Sequence, residues 1–377
     1  MTSVLRAAVV GAGIGEEYVL ALRRQPDVQV AAICARTAAS ADRIAESHGV
    51  PGRYTSYEVM LEREAPELVF VATPNYLHYP MTMAALEAGA HVACEKPLAV
   101  SLDEARQMAR RADELGRRHF VPYTWRFLPA ASAVKELIEA GFVGTPYHAY
   151  LRYHVRGWND PRGPMRWQYD AAQAGSGALA NVGSHAIALV QWWLGEIRTV
   201  CSSLRTAVPE RTTGDGPAAR VTVDDTCALL LELEDGTPAV LSISQVALGP
   251  RVSVEFGLFG SDGALALHDD WGADDAWPGR LLVAQGADAG WKPFPIPPRL
   301  TEGSSPADPA VPFRGCYVAM ATELVSAIRE GRAAAPDFHD GVRVQEVIEA
   351  ALQSEAEERR VRVGDARSTR EPGGGRP

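Results

Sequence analysis

The chain has no paired cysteines. Cys34, Cys94, Cys201, Cys227 and Cys316 are scattered over 377 residues, odd in number and without a C-x-x-C spacing. That pattern argues against a disulfide framework and a zinc ribbon, and no metal site is expected. Cys34 and Cys94 fall in strand-like runs and read as small buried apolar residues. No apolar stretch is long enough and free enough of charge to cross a bilayer, so no membrane partner is expected. The basic residues form no run or stripe within a formal net charge of -10, which argues against nucleic acid. Internal repeats are absent. The opening Met-Thr-Ser-Val-Leu-Arg enters a strand-like run with no signal-peptide pattern, so a cytoplasmic location is expected.

The chain is long enough for two hydrophobic cores, and its 46% apolar content is ordinary for a globular protein. Apolar runs at Leu5 to Val10, Val28 to Cys34, Leu68 to Ala72, His91 to Cys94 and His119 to Pro122 alternate with segments of helical period: Glu16 to Arg24, Ala38 to His48, Tyr79 to Ala88 and Leu102 to Leu115. This rhythm predicts a parallel sheet covered on both faces. Ser101, with Glu104 three residues on, marks a helix start. Beyond Trp125 the rhythm changes. A helical segment from Ala130 to Ala140 precedes Tyr147 to His154 and a Gly/Pro/Trp-rich loop, Arg156 to Gln168, too irregular to read as core. Strand-like runs follow at Cys227 to Leu233, Ala239 to Val246, Val252 to Phe259 and Ala264 to Leu267, with Asp-Gly turns at Asp235 and Asp262. Helical segments at Tyr317 to Arg329 and Val342 to Ala356 can pack on either domain. The expected division is an α/β domain over 1–124, an α+β domain with a mainly antiparallel sheet over 125–365, and a disordered tail over 366–377.

Gly11-Ala-Gly13-Ile14-Gly15 follows a strand and opens a helix, so backbone N–H groups and the positive helix end can face a pyrophosphate. It is one residue shorter than G-x-G-x-x-G, and a plain tight turn is an equal reading. The second strand ends Cys34-Ala-Arg36-Thr37, without the acid that binds a ribose diol. NADP is therefore preferred, with NAD possible, and Arg36 at the 2′-phosphate. An Arg36 stacked on adenine, or simply solvated, is the competing reading. Thr73, Pro74 and Asn75 form a polar turn at the carboxyl edge of the third apolar run, where they contact ribose or nicotinamide, or cap the next helix.

His91-Val-Ala-Cys-Glu95-Lys96-Pro97 puts a lysine where a strand ends, the place where open α/β sheets bind ligands. Oxidation of an alcohol by hydride transfer needs a base for the hydroxyl proton and a positive donor for the developing alkoxide. Lys96 fits the donor or proton shuttle, with burial lowering its proton affinity. His185 fits the base. It follows Asn181 by four residues in an apolar helix-like run, so the two are expected on one helix face.

These segments together resemble the glucose-fructose oxidoreductase, inositol dehydrogenase and rhizopine catabolism (Gfo/Idh/MocA) family. The resemblance runs through Gly11 to Gly15, Val69 to His78, Ala88 to Pro97, Gly175-Ser-Gly177 to His185, and Asp340-Gly341. It implies a Rossmann dinucleotide domain followed by a large open antiparallel sheet used for oligomerisation, here a homodimer or homotetramer. It also implies NAD(P)-dependent oxidation or reduction of a sugar, cyclitol or related polyol. Carried over, Lys96 meets the reacting hydroxyl, Glu95 lies near the cofactor, Trp125-Arg126 contact the cofactor at the domain junction, and His185 is the acid/base. His78 falls in the cofactor-binding motif. The chain departs from the family at three places: Asn181 and Ala188 stand where aspartates are common, and Tyr18 replaces a first-helix histidine.

Tyr153, Trp158, Arg166 and Trp167 gather aromatic faces and hydrogen-bonding groups suited to a sugar ring, although the tryptophans can equally fill a domain interface. Arg152, Arg156 and Arg166 can meet an acidic substrate or pair with the excess of acids. Two alternatives to a simple dehydrogenase remain: a sugar lyase or epimerase that oxidises transiently and regenerates its cofactor in place, and a non-enzymatic dinucleotide sensor.

Overall fold

The computed structural model describes residues 4–213, 216–271, 279–286, 290–301 and 314–365; the tail expected over 366–377 lies outside the described residues. The chain forms two compact units. One runs to Phe127 and takes back a segment ending at Val342, and the other begins at Leu128 and resumes at Arg343.

In the first unit β1 (Leu5–Val10), α1 (Gly15–Leu22), β2 (Val28–Cys34), α2 (Ala38–His48), β3 (Gly52–Tyr54), α3 (Tyr57–Glu64), β4 (Leu68–Val71), α4 (His78–Glu87), β5 (His91–Cys94), α5 (Leu102–Glu114) and β6 (His119–Phe120) follow one another. The strands are all parallel, in the order β3-β2-β1-β4-β5-β6. Every residue of β4 is buried and β1 nearly so, because helices cover both faces. Side-chain caps fix three helix starts: Thr37 accepts from the Ser40 N–H, Ser56 from Val59 and Ser101 from Glu104, each at 3.3 Å. The strand order reverses between β1 and β4, which defines the ligand crevice of a Rossmann sheet. β3 and α3 are too short and too polar for periodicity to reveal.

The second unit opens with α6 (Pro129–Glu139), β7 (Pro146–Val155), α7 (Ala171–Ala174), α8 (Ala178–Asn181) and α9 (Gly183–Leu194). It continues through β8 (Ile197–Arg205), β9 (Glu210–Thr213), β10 (Gly216–Arg220), β11 (Thr226–Leu233), β12 (Pro238–Ser244), β13 (Val252–Gly260), β14 (Gly263–Trp271), β15 (Arg280–Gln285), β16 (Lys292–Phe294) and α10 (Pro298–Thr301). α11 (Arg314–Glu330) then joins the first unit. α12 (Phe338–Glu357) contains the unit boundary, and β17 (Val361–Arg362) ends the second.

Among the described residues the second unit's sheet has nine strands, in the order β16-β15-β14-β13-β7-β12-β11-β8-β17, antiparallel except for the β7 and β12 pair. One face is buried. It carries Leu151, Leu229, Leu241, Phe256 and Leu267, and Trp193 of α9 packs on Phe256 with ring centroids 4.4 Å apart. The opposite face leaves Leu230 and Val240, partners across β11 and β12, 52% and 45% exposed. There the Tyr150 ring lies over Gly257, where a side-chain carbon would fall 2.3 Å from it.

α11 covers α1. Tyr317 meets Tyr18 edge-on at 5.3 Å, and Met320, Ala321 and Leu324 join one core with Val19, Leu22 and Ile33. Two expectations are corrected. The loop from Arg156 to Gln168 builds a small core of its own: Trp158 and Met165 pack with Tyr169, Val221 and Val223. Arg211 pins this cluster by donating to the Trp158 and Asp160 carbonyls and lying 3.9 Å from the Tyr169 ring centre. The run around Asn181 and His185 is not one helix but two, α8 and α9, broken at Val182.

Candidate active-site residues in the two units

β1, β4 and β5 end in register. Val10 pairs with Val71 and Val71 with Cys94, so Gly11, Ala72 and Glu95 leave the sheet side by side. The three glycines of the first turn have different tasks. A side-chain carbon on Gly11, whose φ is +111°, would fall 2.0 Å from the Ala72 carbonyl oxygen. On Gly15 it would press on Val9 at 3.1 Å, and around Gly13 nothing lies within 4 Å. Gly11 and Gly15 thus serve the packing of the turn, while Gly13, beside the exposed Ile14, leaves the approach to the start of α1 open. Thr73 Oγ1 is buried with no partner among the described residues. An open glycine turn and an unsatisfied hydroxyl at the crevice fit a dinucleotide.

Asn75 is buried in the short turn Asn75–Leu77. His78 is fully buried, its ring nitrogens 2.9 Å from the carbonyl oxygens of Thr73 and Pro97. A neutral ring donates to just one of them, and burial pushes its proton affinity down to about 4. His78 therefore lies buried between the turns after β4 and β5 and donates to one of them.

Glu95 is buried, and both its oxygens are engaged. Oε1 accepts from the Tyr18 hydroxyl, and Oε2 from the Lys96 backbone N–H at 3.0 Å. Burial raises the Glu95 carboxyl, opposed by Lys96 and by Tyr18. Burial likewise lowers the Lys96 ammonium, with the Glu95 charge pulling the other way. Trp125 is buried in the turn Thr124–Phe127. Arg126, also nearly buried, pairs with Asp340 at 3.1 Å and lies over the Tyr123 ring. Gly341 follows because a side-chain carbon there would fall 2.7 Å from Leu98. Arg36 is exposed just ahead of α2, whose first turn carries no acid.

In the second unit His185 is 7% exposed, its ring centre 6.2 Å from that of buried Tyr153. Asn181 donates its side-chain amide to Gln245. Gly177, before them, is set by Asp224, whose carboxylate accepts the Gly177 and Leu179 N–H groups at 2.7 and 2.8 Å. A side-chain carbon on Gly177 would fall 1.6 Å from the Asp224 carbonyl oxygen. Burial lifts the Asp224 carboxyl to about 6 despite those bonds. Arg152 pairs with Glu255 at 2.7 Å, and Trp158 belongs to the small core described above. Arg166 is exposed and Trp167 half-buried in the turn Trp167–Tyr169. Sequence patterns missed Gln245, Asp224 and Arg211, which act through partners distant in the chain.

One cluster of metal-ligand type exists among the described residues: Asp113, His119 and His339. His119 Nε2 lies 3.2 Å and His339 Nε2 3.0 Å from the Asp113 carboxylate. The Phe338 N–H donates to His119 Nδ1 at 3.0 Å. That bond leaves the ring proton on Nε2, aimed at Asp113, so the cluster reads as a hydrogen-bonded latch. Among the described residues no helix is long and apolar enough to cross a membrane.

Comparison with known proteins matches residues 5–123 to the oxidoreductase family with an NAD-binding Rossmann fold, and residues 131–266 to the GFO/IDH/MocA C-terminal domain. The chain is 29% identical to levoglucosan dehydrogenase of Pseudarthrobacter phenanthrenivorans, over 77% of this chain and 78% of that protein. To scyllo-inositol 2-dehydrogenase (NADP(+)) of Bacillus subtilis it is 28% identical, over 79% of each. A solved levoglucosan dehydrogenase in complex with NADH and L-sorbose superposes with a TM-score of 0.88 at 27% identity, covering 96% of this chain and 99% of that one. The chain belongs to the Gfo/Idh/MocA family and is an NAD(P)-dependent oxidoreductase acting on CH–OH groups.

Proposed function

We propose that this chain transfers a hydride between a nicotinamide and a secondary hydroxyl or ketone of a sugar or cyclitol. The observation that carries the proposal is Lys96, held at the carboxyl end of β5 next to buried Glu95, in register with the glycine turn after β1. The unit running to Phe127 is assigned the cofactor, through Gly11, Gly13, Ile14, Gly15, Thr73, Pro74, Asn75, Glu95, Trp125 and Arg126. His78 and Gly11 shape its turns from behind. When bound, the nicotinamide supplies the hydride acceptor or donor. Lys96 donates an N–H to the reacting oxygen and stabilises its negative charge as it develops. His185 takes the hydroxyl proton on oxidation and returns it on reduction. Asn181, Tyr153, Trp158, Arg166 and Trp167 are assigned to the substrate.

Relatives named for levoglucosan, scyllo-inositol and, in Escherichia coli, a D-glucoside support a polyhydroxylated substrate. NADP is the preferred cofactor in this reading, because Arg36 stands where an acid would bind a ribose diol. The open sheet face, with Leu230 and Val240, is assigned to a second copy of the chain.

Replacing Lys96 with Met tests the core of the proposal. Turnover of scyllo-inositol or levoglucosan is expected to fall by about 10²- to 10⁴-fold, with dinucleotide binding nearly unchanged. Unaltered turnover would remove Lys96 from the chemistry.

A further inference from the structure

We propose that Tyr18 is a positioning residue for Lys96, acting through the Glu95 carboxylate. The proposal rests on the reading of Lys96 as the group that meets the substrate oxygen.

Tyr18 is 1% exposed, between Phe70 at 4.8 Å and Tyr317 at 5.3 Å. The ring is held by this packing, and its hydroxyl donates to Glu95 Oε1. The other carboxylate oxygen accepts the Lys96 backbone N–H, and the Pro97 carbonyl oxygen, one residue on, lies 2.9 Å from His78 Nδ1. Buried groups thus flank the Lys96 backbone on both sides. Among the described residues, titratable groups facing this carboxylate and lysine include Tyr18 of α1, Tyr317 of α11, Cys94 of β5 and His78 of α4. Burial keeps Tyr18, Cys94 and His78 neutral at ordinary pH. Glu95 and Lys96 are then the coupled pair, each charge opposing the shift of the other toward its neutral form.

A buried carboxylate survives as an anion only if donors occupy its oxygens. Removing the Tyr18 hydroxyl strips Oε1, and Glu95 takes up a proton more readily. Lys96 then loses the negative charge that favours its ammonium in a desolvated place, and its proton affinity falls.

The chain has three lysines, Lys96, Lys135 and Lys292, so selective labelling of lysine side chains gives a spectrum in which Lys96 is assigned by its loss in Lys96→Met. In the full-length protein the Lys96 titration midpoint is expected to drop by about one to three pH units in Tyr18→Phe and in Glu95→Gln, with no further drop in the double variant. An unmoved midpoint in Tyr18→Phe overturns the proposal. Should Tyr18→Phe fail to fold, Glu95→Gln decides alone, because an unmoved midpoint there breaks the route through the carboxylate. The titration is independent of turnover. A moved midpoint alongside unaltered turnover in Lys96→Met would uphold the linkage and sink the catalytic role, whereas an unmoved midpoint alongside lost turnover does the reverse.

Discussion

The side-chain amide of Asn181 donates to Oε1 of Gln245 at 3.3 Å, and Gln245 is 1% exposed with its own Nε2 unpartnered among the described residues. An aspartate at 181 would accept from that Nε2 once the Gln245 amide turns over. Asn181→Asp is therefore expected to fold and to place a negative charge four residues before His185. The histidine becomes more basic by about one pH unit. Since the proposed base works deprotonated, the acidic limb of kcat/KM moves to higher pH by the same amount. A pH–rate profile checks this, and a stationary limb would separate residue 181 from the proton chemistry.

Arg36 is expected to decide between the two dinucleotides. An arginine bond to a phosphate contributes about 1.5 to 3 kcal/mol, so Arg36→Ala should reduce kcat/KM with NADP by roughly 10- to 100-fold. The value with NAD should stay within about twofold. Parallel kinetics with both cofactors test this; equal losses would mean that Arg36 does not read the 2′-phosphate.

Two histidines at the β5 and β6 edge are expected to make the first unit sensitive to acid. His91 Nδ1 accepts the Arg118 N–H at 2.8 Å, as His119 Nδ1 accepts that of Phe338. Protonating either nitrogen breaks a backbone bond. Burial, with Arg117 and Arg118 adding to it, pushes His91 down to about 4. The folded value lies below the unfolded one of about 6.5, so the unfolded chain gains the proton first and stability is lost as pH falls between those limits. The slope is at most about 1.4 kcal/mol per pH unit. His91→Gln keeps an acceptor for Arg118 and cannot titrate. Its Tm should fall less steeply than that of the unaltered protein from neutral pH down to pH of about 4, and parallel curves would reject the assignment.

Assembly through the open sheet predicts that Leu230→Asp yields a smaller species by light scattering, with the circular dichroism spectrum kept. The substitution puts a charge beside Val240 on a face that is already exposed within one chain. The buried core is not touched, so an unchanged mass would place any interface elsewhere.

Much of the first unit could be read from local pattern. β1, β2 and β5 begin and end where their apolar runs do. Ser101 caps α5 as its spacing to Glu104 suggested. The second unit was less legible. β8 alternates weakly, and β9, β10 and β16 are short, with partners supplied by other strands rather than by their own composition. The single helix face expected to carry Asn181 and His185 breaks at Val182, and Gly177 before it is required by the carbonyl and carboxylate of Asp224, far along the chain.

The sequence by itself determined the elements whose causes are local: strand and helix periods, side-chain caps, the glycine turn, and a lysine placed where a strand ends. Tertiary structure decided what those residues meet. It made Gly11 necessary by bringing the Ala72 carbonyl beneath it. It carried α11 back onto α1 and closed Tyr18 on Glu95. It also turned the loop from Arg156 to Gln168 into a small core around Arg211. Each of these depends on burying and satisfying groups that are remote in sequence, and a periodic pattern read along one segment carries no record of its partner.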